Sequence, residues 1–216
     1  MTLVILARHG NTFEAGQEAV WVGARTDLPL TSKGREQAAA IGEALRRAGL
    51  IPARTLAGPL KRTRETASLA LETAGAPLAQ IEIDEGLREI DYGDWEGKSS
   101  AAIRQAGGGP ELDAWEHDGT WPAGANWPLS REIYLKNFSD IIRSVREANR
   151  SPTIIVSSNG LFRLLANSVA GRGFSGKMAT GRLGLLRIEG DGAILLLGWN
   201  LAPDDFPACV AEHRSR

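Results

Sequence analysis

At 216 residues, 43% of them hydrophobic, the chain is long enough to bury one substantial core and short for two, so a single domain over residues 1–216 is expected. Its 25 Lys and Arg nearly balance 26 Asp and Glu, with no basic tract, which argues against a nucleic-acid partner. Cys209 is the only cysteine, excluding an intrachain disulfide or a thiolate metal cluster. No apolar run approaches the roughly 18 residues of a membrane span, and the N-terminal run is too short for a signal peptide. The expectation is a cytoplasmic protein with no membrane partner.

The first predicted element is the apolar run Leu3 to Leu6, a strand candidate that ends at Arg8 and His9. Thr31 reads as the cap of a helix that places Ala38, Ile41, Leu45 and Ala48 on one face. A weaker strand, Arg54 to Ala57, leads to a helix from Leu60 to about Ala74, and a second weak strand covers Ile81 to Ile83. The stretch Gly107 to Pro128 is dense in Gly, Pro and Trp with neither period, so an irregular insertion is expected there.

From Ser130, the residues Tyr134, Phe138, Ile141, Val145 and Ala148 recur at helical spacing. Thr153 to Ser157 reads as a buried strand, and Leu161, Leu164, Leu165 and Val169 mark a helix stopped by Gly171. The runs Leu183 to Ile188 and Ala193 to Trp199, joined by Glu189 to Gly192, read as a hairpin adding an antiparallel edge. Strands alternating with helices predict a three-layer α/β fold: a mostly parallel central sheet with helices on both faces.

Chemistry concentrates at three places. Arg8 and His9 stand at the carboxyl end of the first strand, where open α/β sheets bind ligands; a core histidine beside an edge arginine is the plainer reading of that pair. Arg62 sits in the first turn of a helix, where a cation is unfavourable unless an anion such as phosphate binds at that terminus. A solvated arginine beside Lys61 and Arg64 is the alternative. "LREIDYGDWEG", Leu87 to Gly97, packs carboxylates among aromatics and glycines, as an acidic surface loop or as the source of a general acid. A neutral His9 can attack phosphorus while guanidinium forks hold the equatorial oxygens and a carboxylic acid protonates the leaving oxygen, a scheme that requires no metal or other cofactor.

"RHGNT", "GARTDLPLTSKGREQA", "PLKRTRETA" and "LREIDYGDWEG" occur in that order, and together they resemble the histidine phosphatase superfamily, also called phosphoglycerate mutase-like, from Leu3 to about Trp199. The resemblance implies that His9 is the phosphorylated nucleophile, that Arg8 and Arg62 hold phosphate, and that Glu89 is the proton donor. It also implies a substrate-binding set of Asn11, Thr12, Gly23, Ser158 and Asn159, and the same α/β fold. The expected activity is metal-independent hydrolysis of a small phosphorylated metabolite. A phosphoglycerate mutase and a catalytically weakened phospholigand-binding homologue are the alternatives, and a homo-oligomer is left open.

The chain departs from the family pattern in places. Family members carry a second histidine in a pattern like V-S-H-G-G followed shortly by arginine; "IVSSNGLFR" puts Ser158 at that position, anchored on Val156, Ser157 and Arg163. Serine keeps a hydrogen-bond donor and loses the cationic ring, and Asn159 is the candidate for partial compensation. A family asparagine falls on Ala15, and the usual G-G-E-S has no clear match in "PAGANWPLS". His117 could fold over the pocket in place of the missing imidazole, although exposure is the commoner state of a loop histidine. His213 reads as inert and Cys209 as structural. Trp115, Trp121 and Trp127 would either cap the core or wall the substrate site.

Overall fold

The computed structural model describes residues 1–77, 81–171 and 174–214. Its centre is a six-stranded sheet built from β1 (Thr2–Arg8), β2 (Arg54–Ala57), β3 (Ile81–Ile83), β4 (Thr153–Ser157), β5 (Leu183–Ile188) and β6 (Ile194–Leu201), in the order β3-β2-β4-β1-β5-β6. The pairs β2/β3, β2/β4 and β1/β4 are parallel, whereas β1/β5 and β5/β6 are antiparallel. β5 therefore runs against all the others, and the sheet is mixed, with its antiparallel part confined to the predicted hairpin. β1 and β4 are buried along most of their length, which is why they read as continuous apolar runs.

The helices are α1 (Ser32–Arg47), α2 (Lys61–Ala74), the single turn α3 (Ser100–Ile103), α4 (Gly109–Asp118), α5 (Arg131–Ala148), α6 (Asn159–Ala170) and α7 (Phe206–Arg214). One apolar cluster joins Ile5, Ala7 and Val156 of the sheet to Ile41 and Leu45 of α1, Ala70 of α2 and Phe206 of α7. A second joins Val4, Leu6 and Ile155 to Phe138 and Val145 of α5 and Phe162 of α6. Alternate residues of β1 thus feed the two clusters, as the period of two in a strand requires when both faces are covered. Thr31 caps α1 by accepting from the Gly34 N–H at 3.1 Å, as its position in sequence predicts.

The expected irregular insertion at residues 107–128 is corrected by α4 inside it. Pro110 falls in the first turn, where a missing N–H costs nothing, so it marks a start rather than a break. Gly119 closes the helix in the left-handed conformation at φ 73°. Leu112 and Trp115, three residues apart, bury the inner face. Trp115 and Trp127 join Tyr92, Trp95 and Tyr134 in a third cluster, over which this insertion lies.

Candidate active site

The carboxyl end of β4 gathers the segments that carry the predicted chemistry. The Ser157 carbonyl accepts from the His9 N–H at 3.0 Å and the Val156 carbonyl from the Gly58 N–H at 3.0 Å, holding the ends of β1 and β2 in line. The Ser157 hydroxyl donates to the Leu87 carbonyl at 2.8 Å, bringing the loop that carries Glu89 to the same edge. Gly10 and Gly34 allow the β1 turn to lie against α1, since a Cβ on Gly10 would stand 2.1 Å from the Gly34 carbonyl oxygen.

Together these segments border a pocket of about 590 Å³ whose walls include Arg8, His9, Asn11, Thr12, Arg62, Glu89 and Asn159. His9 is buried, with Nδ1 2.8 Å from the Gly10 carbonyl oxygen. Burial, then the guanidiniums of Arg8 and Arg62, hold its pKa well below the ordinary histidine value. A neutral ring facing a carbonyl oxygen must carry its hydrogen on Nδ1, which leaves the Nε2 lone pair for attack.

Arg8 Nη1 donates to the Met178 carbonyl at 2.6 Å, while Arg62 donates from Nη1 to Thr26 O at 2.7 Å and from Nη2 to Gly23 O at 3.1 Å. The Nε of each guanidinium is buried and has no protein acceptor. Glu89 is buried and accepts from the backbone N–H groups of Ile90 at 2.9 Å and Gly160 at 3.2 Å. Burial nevertheless raises its pKa above the usual carboxylate value, outweighing those bonds and the nearby arginines. The Tyr92 hydroxyl is kept protonated, by its burial first and then by the neighbouring Glu89.

Two expectations change. Ser158, the N-cap residue of α6, is absent from the pocket's walls: it is fully buried and its hydroxyl has no protein partner. Gly23 lies behind Arg62, serving it with a carbonyl, and a Cβ there would come within 2.5 Å of the Ile90 carbonyl oxygen. His117 is exposed and stands off the pocket. Trp115 both packs in the core and borders the pocket, whereas Trp121 and Trp127 only pack.

Sequence reasoning missed Arg163, Lys177 and Tyr92 as pocket residues. Arg163 follows Asn159 by four residues on α6, so the helical period would have placed it on the same face. It lies over the Trp115 ring with its carbon 5.6 Å from the centroid, and donates to the carbonyls of Trp115, at 2.8 Å, and Glu116. Together with the Asn167 amide on Asp118 O, it ties the last turn of α4 to α6. Lys177 lies in a connection with neither period and gave no signal.

A buried neutral imidazole, the guanidiniums of buried Arg62 and half-buried Arg8, and a buried carboxyl held toward its protonated form border one pocket at the carboxyl edge of an α/β sheet. The model of the histidine phosphatase superfamily (branch 1) matches residues 4–200, and the chain belongs to that superfamily as an enzyme of its type. Among curated proteins it is 29% identical to a 2,3-bisphosphoglycerate-dependent phosphoglycerate mutase of Parvibaculum lavamentivorans, over 73% of this chain and 74% of that one. It is 28% identical to a glucosyl-3-phosphoglycerate phosphatase of Mycolicibacterium vanbaalenii, over 78% of this chain and 74% of that one. Among solved structures, a mycobacterial glucosyl-3-phosphoglycerate phosphatase superposes with a TM-score of 0.77 at 22% identity, covering 94% of this chain and 100% of that one. The α-ribazole phosphatase of Shigella flexneri superposes with a TM-score of 0.70 at 23% identity, covering 93% and 96%.

Proposed function

We propose that the chain is a phosphomonoester hydrolase that works through a phosphohistidine on His9. The observation that carries this reading is the pairing, in one buried pocket, of a neutral His9 fixed by Gly10 O with a Glu89 whose pKa is raised. Nε2 of His9 attacks phosphorus, and the bond to the ester oxygen breaks as Glu89 delivers its proton to that oxygen. Water then attacks the phosphohistidine, gives its proton to the Glu89 carboxylate, and phosphate leaves with His9 neutral again. Arg8 and Arg62 supply preorganised donors for the equatorial oxygens, the role for which two buried Nε–H groups without protein acceptors are suited. With these donors in place chelation should leave turnover unchanged.

A phosphoglycerate mutase is the second reading, favoured by the mutase relative in Parvibaculum. It requires the phosphoenzyme to outlast product exchange, whereas a hydrolase requires water to reach it. The deciding experiment mixes the protein with 3-phosphoglycerate and with other phosphomonoesters and follows isomer and inorganic phosphate together, with His9→Ala alongside. Phosphate release that His9→Ala abolishes, with an acid-labile and base-stable label on His9 after rapid quench, is the expected result. Isomer without phosphate would establish the mutase, and undiminished turnover in His9→Ala would overturn both.

A further inference from the structure

We propose that the pocket prefers phosphomonoesters whose alcohol carries an apolar, ring-bearing body over small esters carrying a second negative charge. The proposal deepens the hydrolase reading and rests on it for the placing of the phosphate beside His9.

A pocket of about 590 Å³ lies within the range of sites for drug-sized molecules, about 300 to 1,000 Å³, and the phosphoryl group takes only its floor. The pocket's lining includes Phe13, Val20, Trp21 and Val22, close in sequence and all half-buried rather than packed away. Adjacent apolar side chains that meet in a cleft and stay partly open are area for a ligand to cover.

Trp21 makes this wall rigid. Its N–H donates to Lys98 O at 2.9 Å, its carbonyl accepts from Gly97 N–H at 2.8 Å, and its indole N–H donates to the Ser100 hydroxyl at 3.1 Å. Its ring stands edge-on to Tyr92 at 4.9 Å and to Trp95 at 5.3 Å. A wall already fixed in place loses little freedom when a ring covers it.

The lining also carries charges of both signs. Lys177 and Glu116, both exposed, supply one charge of each sign. Arg163 spends Nη1 on the carbonyls of Trp115 and Glu116 and lies over the Trp115 ring, with its buried Nε left without a protein acceptor. A second anion on the substrate would meet an exposed lysine and an exposed carboxylate in the same lining, contacts of small worth in water. An apolar body would instead gain the burial of the wall.

Calorimetric titration with two inert phosphonates of equal chain length, 3-phenylpropylphosphonate and 3-carboxypropylphosphonate, tests this without requiring turnover. The phenyl compound should bind at least about tenfold tighter, as burial of even small apolar groups in a fitted pocket commonly gives, and with the more negative heat-capacity change. Trp21→Ala should shrink that ratio. Val20→Ser, which touches none of the hydrogen bonds around Trp21, should shrink it as well and covers the case in which Trp21→Ala does not fold. Equal binding, tighter binding of the carboxylate, or no binding of either compound would overturn the proposal. Phosphate release from the matching esters is a separate readout: binding preference without His9-dependent release would overturn the hydrolase reading and leave this one standing.

Discussion

Asn159 and Arg8 hold the two backbone groups of one residue. Asn159 Oδ1 accepts from the Met178 N–H at 2.9 Å, and Arg8 Nη1 donates to the Met178 carbonyl at 2.6 Å. The Met178 side chain is fully buried in the cluster around Phe162. The guanidinium at the end of β1 is therefore set by the first residue of α6, through a connection that belongs to neither. Asn159→Ala should lower kcat/KM roughly tenfold, equivalent to about 1.4 kcal/mol, with a smaller effect on stability. A double-mutant cycle with Arg8→Lys checks the route: the two losses should be less than additive, because the second change finds Arg8 already loosened.

Gly160→Ala should disable the acid. A Cβ there would come within 2.4 Å of the Tyr92 hydroxyl oxygen and 2.6 Å of Glu89 Oε1, both on buried side chains. Relief requires the pair to move, so a stability loss of about 1 to 3 kcal/mol is expected, with activity falling further than stability does. Adding Tyr92→Phe removes the closest of three clashes, the third being with Ile90 Cδ1 at 2.9 Å, and should return part of the stability. Denaturant titration and steady-state rates read the two effects separately.

The pH profile follows from opposite shifts. His9, held below its ordinary value, must be neutral to attack, so kcat/KM rises as pH climbs through that lowered value. Glu89, held above its ordinary value, must be protonated to serve the leaving group, so kcat/KM falls as pH climbs through that raised value. Glu89→Gln should be slower at every pH and lack the falling limb. On the stability side a raised carboxyl favours the folded chain below the unfolded pKa and loses that contribution as pH rises through the folded one. Glu89→Gln should therefore be more stable than the parent at pH 8, and the gain should vanish near pH 4; thermal melts across that range check it.

Ser158→Ala should leave activity unchanged, and stability unchanged or higher by about 1 kcal/mol, since it removes a buried hydroxyl without a partner. A large loss of kcat/KM in a normally melting variant would place the serine back in the chemistry.

The strands and long helices were legible because their residues carry one period and one environment: β4 is buried throughout, and α5 hides Tyr134, Phe138, Ile141 and Val145 on a single stripe. His9, Arg8, Arg62 and Glu89 were legible as residues because each sits in a family-like motif. Their meeting in one pocket was expected from the chemistry and the resemblance, but the contact that brings it about was not, since the Ser157 hydroxyl and the Leu87 carbonyl stand 70 positions apart. α4 escaped because a Gly-Pro pair reads as a break unless it opens a helix, and because that helix is held from outside by Arg163 and Asn167. The burial of Ser158 was not legible, since alignment gives a position in the chain and says nothing of what covers a side chain at a helix cap.

The edge of β4 has a consequence for how such a protein can change. His9 and the segments that carry Arg62 and Glu89 all meet at a buried strand end, whereas Phe13, Val20 and Trp21 belong to an outlying segment in which Trp21 is tied to residues 96–100. Alterations to that segment can retarget the molecule without retuning its chemistry, so a library confined to residues 13 to 22 should yield altered substrate choice far more often than inactive protein.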